Sequence, residues 1–207
     1  MIRVSRRILG GLVLLAPAAA VLPAIPPAWA QIDTNRASAF IQASGTELVG
    51  VINNPGIPAD QRRQKVADIL RRSVDIEGVA RFVIGRFWRQ ASAQEQQEFL
   101  TLFEESLVRN LAGRFGEYQG VRFEMGRSQS RTDDDALVST IVTRPGTAAF
   151  NLDWRVSDVN GAPRIVDLIA EGTSLRLTTR SEYSSVIQRG GGQVSSLITA
   201  LKRQLGR

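Results

Sequence analysis

The sequence predicts one α+β domain: a curved antiparallel sheet of about four strands, covered by helices on one side. Three observations predict it. From Ala37 to about Phe115 apolar residues recur at threes and fours, the spacing of helices with one inward face. From Val121 to Ala170 the period falls to two, with turn residues between the runs, and from Ser174 to Leu205 it returns to that of a helix. No repeat, low-complexity tract or long linker divides residues 31–207, so one domain accounts for them.

The first 30 residues stand outside that domain. Arg3, Arg6 and Arg7 precede an apolar run from Ile8 to Val21, and Ala28-Trp29-Ala30 gives a small-x-small site ahead of Gln31. This is the order of a secretory signal peptide, with cleavage expected after Ala30. A membrane anchor would need about 20 apolar residues; this run is shorter and broken by Pro17 and Pro23. No cysteine follows the site to take a lipid anchor. Ser5-Arg6-Arg7-Ile8-Leu9 also fits a twin-arginine signal, so the export route, Sec or twin-arginine, stays open.

Ala37, Phe40, Ile41, Ser44, Leu48, Val51 and Ile52 form the stripe of the first helix, which Asn53-Asn54-Pro55-Gly56 ends. A second helix is expected from Pro58 to Ser73 with Val66, Ile69 and Leu70 inward. Asp75 can cap a third, whose Ile76, Val79, Ala80, Val83 and Phe87 share a face. Ser92-Ala93-Gln94-Glu95 is a capping box, followed by Phe99, Leu102, Phe103, Ser106, Leu107, Asn110 and Leu111 on one stripe. The strands are expected around Val121–Met125, Val138–Val142, Phe150–Val156 and Ile165–Ala170. Asp133-Asp134-Asp135, Pro145-Gly146 and Asn160-Gly161 supply the turns. Two last helices, Ser174–Gln188 and Gln193–Leu205, flank Gly190-Gly191-Gly192.

Composition removes much chemistry. The 207 residues contain no histidine and no cysteine, which excludes imidazole or thiol catalysis, disulfides, and thiolate or imidazole metal sites. Only Lys65 and Lys202 are lysine, and neither lies in a phosphate-binding loop or a Ser-x-x-Lys pattern. Removing residues 1–30 takes away three arginines and no acid, so the net charge falls from +6 to +3. With its charges interspersed, the remaining chain gives no sign of a nucleic-acid partner.

Two stretches carry more information than packing requires. The first is Ala80-Arg81-Phe82-Val83-Ile84-Gly85-Arg86-Phe87-Trp88-Arg89-Gln90-Ala91-Ser92, continued by Gln96-Gln97-Glu98-Phe99 and Leu102-Phe103. The second is Asp153-Trp154-Arg155, Ile165-Val166-Asp167-Leu168-Ile169-Ala170-Glu171-Gly172-Thr173-Ser174-Leu175, Arg180-Ser181-Glu182-Tyr183 and Gln188-Arg189-Gly190-Gly191. Together they resemble the MlaC family, soluble periplasmic phospholipid-binding proteins also known from toluene-tolerance systems. The likeness runs from about Asp33 to Leu205, with Thr173 and Gly192 as departures.

The resemblance implies a carrier and no enzyme or cofactor. Its fold would have an NTF2-like core enclosing an apolar lipid cavity, with the acyl tails inside and the headgroup near the surface. Its partners would be an outer-membrane lipoprotein complex and an inner-membrane ABC transporter with a substrate-binding ring, and the chain would be a monomer. The task implied is the upkeep of outer-membrane lipid asymmetry. Some relatives belong to hopanoid loci, which leaves another amphiphile open as cargo.

A cavity wall can be named from periodicity: Phe150, Leu152, Trp154 and Val156 from a strand, Phe99, Phe103, Leu107 and Leu111 from the long helix, and Ile169, Leu175 and Leu177 beside the second motif. Tyr183 joins them through the resemblance. Periodicity alone fits a filled core equally well, as in a structural adaptor. Arg81, Arg86 and Arg89 could face phosphates or an acidic partner, or simply be a solvated helix face. Asp167 with Glu171 or Asp153 could serve a secreted hydrolase or isomerase in a cone-shaped cavity. They could instead pair with Arg155, Arg164 and Arg176 or cap the turn at Gly172. Trp88 and Trp154 fit a core better than base-stacking platforms.

Overall fold

A computed structural model of the chain describes residues 33–116, 120–132 and 135–207. The signal peptide expected over residues 1–30 lies outside the described residues, as do Asp133 and Asp134 of the expected acidic turn. Among the described residues no helix is long and apolar enough to cross a membrane.

Four helices come first: α1 (Thr34–Asn53), α2 (Ala59–Ser73), α3 (Ile76–Ile84) and α4 (Ala93–Gly116). Their boundaries follow from local chemistry. Asp33 caps α1 by accepting from the Asn35 amide, and Asp75 caps α3 by accepting from the Gly78 amide. The capping box of α4 closes in both directions, with the Ser92 amide donating to Glu95 Oε2 at 2.9 Å and the Glu95 amide to Ser92 Oγ at 3.2 Å. The Ser92 amide and then the Ser92 hydroxyl, both donating to Oε2, hold the Glu95 carboxyl below its ordinary value. The helix expected to carry Phe87 stops sooner, because Gly85 turns the chain at φ 57 and ψ −126 into a short 3-10 segment, Gly85–Arg89. Phe87 is buried nonetheless.

The strands β1 (Arg122–Ser130), β2 (Asp135–Thr143), β3 (Phe150–Val159) and β4 (Ala162–Ala170) form an antiparallel meander. A fifth, β5 (Thr173–Ser174), completes a five-stranded sheet, one more than the four expected. Two residues are too few for a periodic signal; what creates β5 is the reversal at Glu171 and Gly172, with φ 47 and 79. Asn160 and Gly161, φ 55 and 81, make the β3–β4 hairpin in the same way. Asp135, expected in a turn, instead begins β2, where it is buried and paired with Arg155. Irregularities between Met125 and Ser128 and between Arg155 and Val156 interrupt the register and bend the sheet.

Helices α5 (Leu175–Arg189) and α6 (Val194–Leu205) close the chain. The buried interior divides into separate clusters. Phe87, Phe99, Leu102, Ile187, Leu197 and Leu201 fill the helical end. Ala37 and Ile41 of α1 pack on Ala136, Val138, Val156 and Ile165 of the sheet. Ile52, Val66, Leu70 and Val108 join α1, α2 and α4, while Val121, Val142 and Leu152 gather on the first three strands and the approach to them. Between these clusters the interior is open.

Candidate functional site

The opening is a cavity of about 640 Å³ between the helices and the inner face of the sheet. One wall comes from α1, through Ile41, Ser44, Gly45, Leu48, Val49 and Ile52. Another comes from α4, through Phe103, Ser106, Leu107, Asn110 and Leu111. Facing them, the sheet presents Phe123, Thr140, Val142, Phe150, Leu152, Trp154 and Leu168. Leu175, Arg176, Thr179, Glu182 and Tyr183 of α5 complete the enclosure. A second depression of about 440 Å³, edged by Gln94, Gln97, Glu98, Thr101, Lys202 and Arg207, is surface across which Lys202 and Glu98 pair at 2.5 Å.

Phe103, Leu107, Leu111, Phe150, Leu152, Trp154, Leu175 and Tyr183 are where the sequence places them, on the cavity wall. Four other expected residues are elsewhere. Phe99 lies fully buried one turn before Phe103, with its ring 6.2 Å from Tyr183 in an edge-on contact. Val156 packs under α1 in the filled cluster with Ala136 and Val138. Ile169 pairs with Asp153 and therefore faces opposite to Leu168 and Trp154, since side chains alternate along a strand. Leu177 is 57% exposed on α5.

Sequence reasoning missed the contributions of α1, of α2 through Ile69, Leu70 and Ser73, and of β1. Phe123 and Val142 carried the period of two, but nothing in a strand pattern says which inward face meets empty space. Gly45 was the available signal, a glycine inside an otherwise good helix. A Cβ there would lie 2.7 Å from Phe123 Cζ, so its absence lets the ring rest against the α1 backbone.

The polar groups of the sheet wall satisfy one another. Trp154 Nε1 donates to Thr140 Oγ1 at 2.9 Å, and that hydroxyl donates to the Leu152 carbonyl at 3.1 Å. The wall therefore presents hydrocarbon and ring surface to the cavity, without an orphaned donor. On the α5 side, burial pushes the Tyr183 phenol up to about 12, with Glu182 adding to the shift. Tyr183 stays neutral and belongs to the apolar wall at ordinary pH.

Of the three expected carboxylates only Asp167 borders the cavity, so they do not converge there. Asp167 is buried and accepts from the Leu168 amide at 2.9 Å, Ser174 Oγ at 2.6 Å and the Arg176 amide at 3.1 Å, which fixes β4 to the start of α5. Glu171 is exposed and accepts from the Asn151 amide at 2.5 Å. Asp153 sits on the outer sheet face between Ser139 and Ile169. Of the expected pairings Arg176 keeps Asp167, at 4.0 Å, while Arg155 goes to Asp135 and Arg164 to the Arg72 carbonyl. A hydrolase built on these acids loses its geometric premise. Among the described residues no acidic group is arranged to hold a metal ion.

The two information-rich stretches meet beside the cavity, at Phe82 and Gly85, with Arg176 shared with its wall. Phe82 takes the Arg176 guanidinium 4.0 Å from its ring centroid and the Arg180 guanidinium at 4.8 Å. Arg180 Nη1 also donates to the Phe82 carbonyl at 3.4 Å. Gly85 leaves the room, for a Cβ there would stand 3.1 Å from Arg180 Nη2. Arg81 pairs with Glu77 at 2.5 Å and lies 5.0 Å from the Trp88 ring, and Arg86 lies 5.0 Å from the Phe87 ring. Arg81, Arg86 and Arg180 are exposed and stacked on the protein's own aromatics, whereas Arg176 is half-buried.

With that geometry in place, comparisons with known proteins are informative. A family model described as MlaC protein matches residues 42–203. The toluene tolerance protein ttg2D of Pseudomonas putida is 23% identical over 167 residues, 76% of each chain. The intermembrane phospholipid transport system binding protein MlaC of Haemophilus influenzae is 21% identical over 135 residues, 63% of this chain and 62% of that one. A solved phospholipid-binding protein from Ralstonia solanacearum, in complex with a phospholipid, shares the fold with a TM-score of 0.73. It is 23% identical, and the likeness covers 83% of this chain and 99% of that one.

Proposed function

The chain belongs to the MlaC family, and on that footing we propose that it is a periplasmic phospholipid-binding transport protein that carries its cargo's acyl tails in the cavity. One observation carries the reading: a cavity of about 640 Å³ whose sheet wall meets its own hydrogen-bonding needs. Eight expected residues on that wall, from Phe103 to Tyr183, would touch the tails. A filled adaptor would have no use for such a space, which is of the size of ligand pockets.

The volume sets the load. A methylene takes about the space of a water molecule, roughly 30 Å³, so the cavity accepts on the order of 20 methylenes. Burying them at about 0.8 kcal/mol each amounts to roughly 16 kcal/mol relative to water. A bilayer solvates the same tails equally well, so the carrier has little net drive to extract or deliver. Direction must come from docking partners. The family resemblance supplies them as an outer-membrane lipoprotein complex and an inner-membrane ABC transporter with its substrate-binding ring, and export would end with cleavage after Ala30.

Native mass spectrometry of protein taken directly from the periplasm tests this. The expected spectrum shows one phospholipid per chain, released by organic extraction. Consistent recovery of lipid-free protein from cells would refute the proposal.

A further inference from the structure

Arg176 is set among the cavity residues with its side chain mostly buried, 13% exposed, and shares that wall with the Asp167 carboxylate at 4%. Its guanidinium makes no hydrogen bond among the described residues, although it carries five N–H donors. Asp167 Oδ2 stands 4.0 Å from Nε, beyond hydrogen-bond reach, and is already taken by Ser174 Oγ at 2.6 Å. The Nε atom is itself buried and unpartnered. Phe82 meets the guanidinium from one side at 4.0 Å, so a ring and a long ion pair with Asp167 hold the group while its hydrogen-bonding capacity stays open.

Charge reinforces the geometry. Burial pushes the Arg176 pKa down, and Arg155 and Arg131 push it further, while Asp167 and Asp135 oppose them. Arg155 is taken up by Asp135, and the Asp167 oxygens are engaged by Ser174 Oγ and the Leu168 and Arg176 amides, so the Arg176 charge stands without a hydrogen-bonded counter-ion at the rim of an apolar space. A preoriented, under-bonded guanidinium matches the planar recognition of an oxyanion. The first-turn amides of α5 are not available for this task, since Asp167 and Ser174 occupy those of Arg176 and Leu177.

We propose that Arg176 binds the phosphate of the lipid headgroup, placing the ester end of the cargo at the start of α5 and the tails between α4 and the sheet. The inference rests on the carrier reading and sharpens it, because it makes the protein select for a phosphate beyond merely apolar tails. The Phe82 stack then has a second use, in holding the guanidinium ready when the cavity is empty.

The test uses purified protein stripped of lipid, offered dioleoyl phosphatidylglycerol or dioleoylglycerol, which share tails and differ in the phosphate. Wild type should hold the phospholipid about tenfold to a hundredfold more tightly than dioleoylglycerol, the range of charge-assisted hydrogen bonds. Arg176→Gln should lose that preference and keep its dioleoylglycerol affinity, which also certifies that the variant is folded. Arg176→Lys should recover only part of it. Equal phospholipid binding by wild type and Arg176→Gln overturns the assignment and leaves the carrier reading standing. Uptake of neither lipid by wild type overturns both. Glycerol phosphate is the third probe: binding of it that depends on Arg176, with lipid affinity unchanged by Arg176→Gln, would assign the site to a free phosphate and end the headgroup proposal.

Discussion

Gly85→Ala probes the point where the two information-rich stretches of the sequence meet. Gly85 closes α3 at φ 57 and ψ −126, a region that residues with a Cβ scarcely enter. Alanine there meets a backbone cost of about 1–3 kcal/mol. The new methyl would also stand 3.1 Å from Arg180 Nη2 and 3.2 Å from its Cζ, so Arg180 must give by a few tenths of an ångström, at the expense of its contact over Phe82. An exposed cation–π contact is worth about 0.5–1 kcal/mol. The narrower freedom of alanine in the unfolded chain returns about 0.4–1 kcal/mol, leaving a net loss on the order of 2–3 kcal/mol. Urea unfolding reads it directly, since with a slope of about 1–3 kcal/mol per molar the midpoint should fall by about 1–2 M. In a double-mutant cycle with Arg180→Ala the contact part should cancel and the backbone part remain. A Gly85→Ala midpoint within about 0.2 M of wild type would refute the strained turn, and lipid affinity that collapses while stability holds would refute its placement outside the cavity.

Two further predictions concern the cavity wall. Thr140→Val removes the acceptor of the Trp154 indole and the donor to the Leu152 carbonyl, and should cost about 2 kcal/mol in urea unfolding with a shift in tryptophan emission; an unchanged midpoint would mean that water or another group serves the indole. Tyr183 has its folded-state pKa raised from 10 to about 12, so the stability associated with its neutral form is whole below pH 10 and drains away as pH rises through about 12. The loss should be on the order of 2–3 kcal/mol, and Tyr183→Phe should remove that part of the alkaline decline; identical pH profiles for the two proteins would contradict a buried phenol.

Much of the architecture was legible because local chemistry decided it. Asp75 and the Ser92–Glu95 box state where helices begin, and Asn160-Gly161 states a hairpin, whatever the rest of the chain does. β5 was not legible, since Thr173 and Ser174 become a strand only when positive φ at Glu171 and Gly172 returns the chain to β4. The cavity is a different matter. Period two marks Leu152, Trp154 and Val156 as facing one way, yet Leu152 and Trp154 border open space while Val156 is packed beneath Ala37 and Ile41. What differs is the helix opposite, a tertiary fact that no strand sequence encodes. Motif residues misled in the other direction. Gly85 and Arg180 caught attention as functional signatures, and they act by locking α3 to α5.

The division of the interior into clusters around an opening bears on what happens when the load is gone. Phe99, Leu102, Leu197 and Leu201 hold the helical end, and Ala37, Val138 and Val156 hold the sheet to α1, without any group inside the cavity. Trp154 and Thr140 complete each other across the wall. The two clusters hold together without a cargo, whereas Val121, Val142 and Leu152 border the space itself. On the proposed carrier reading, loss of the cargo would therefore loosen the cavity wall before it touched the helical end.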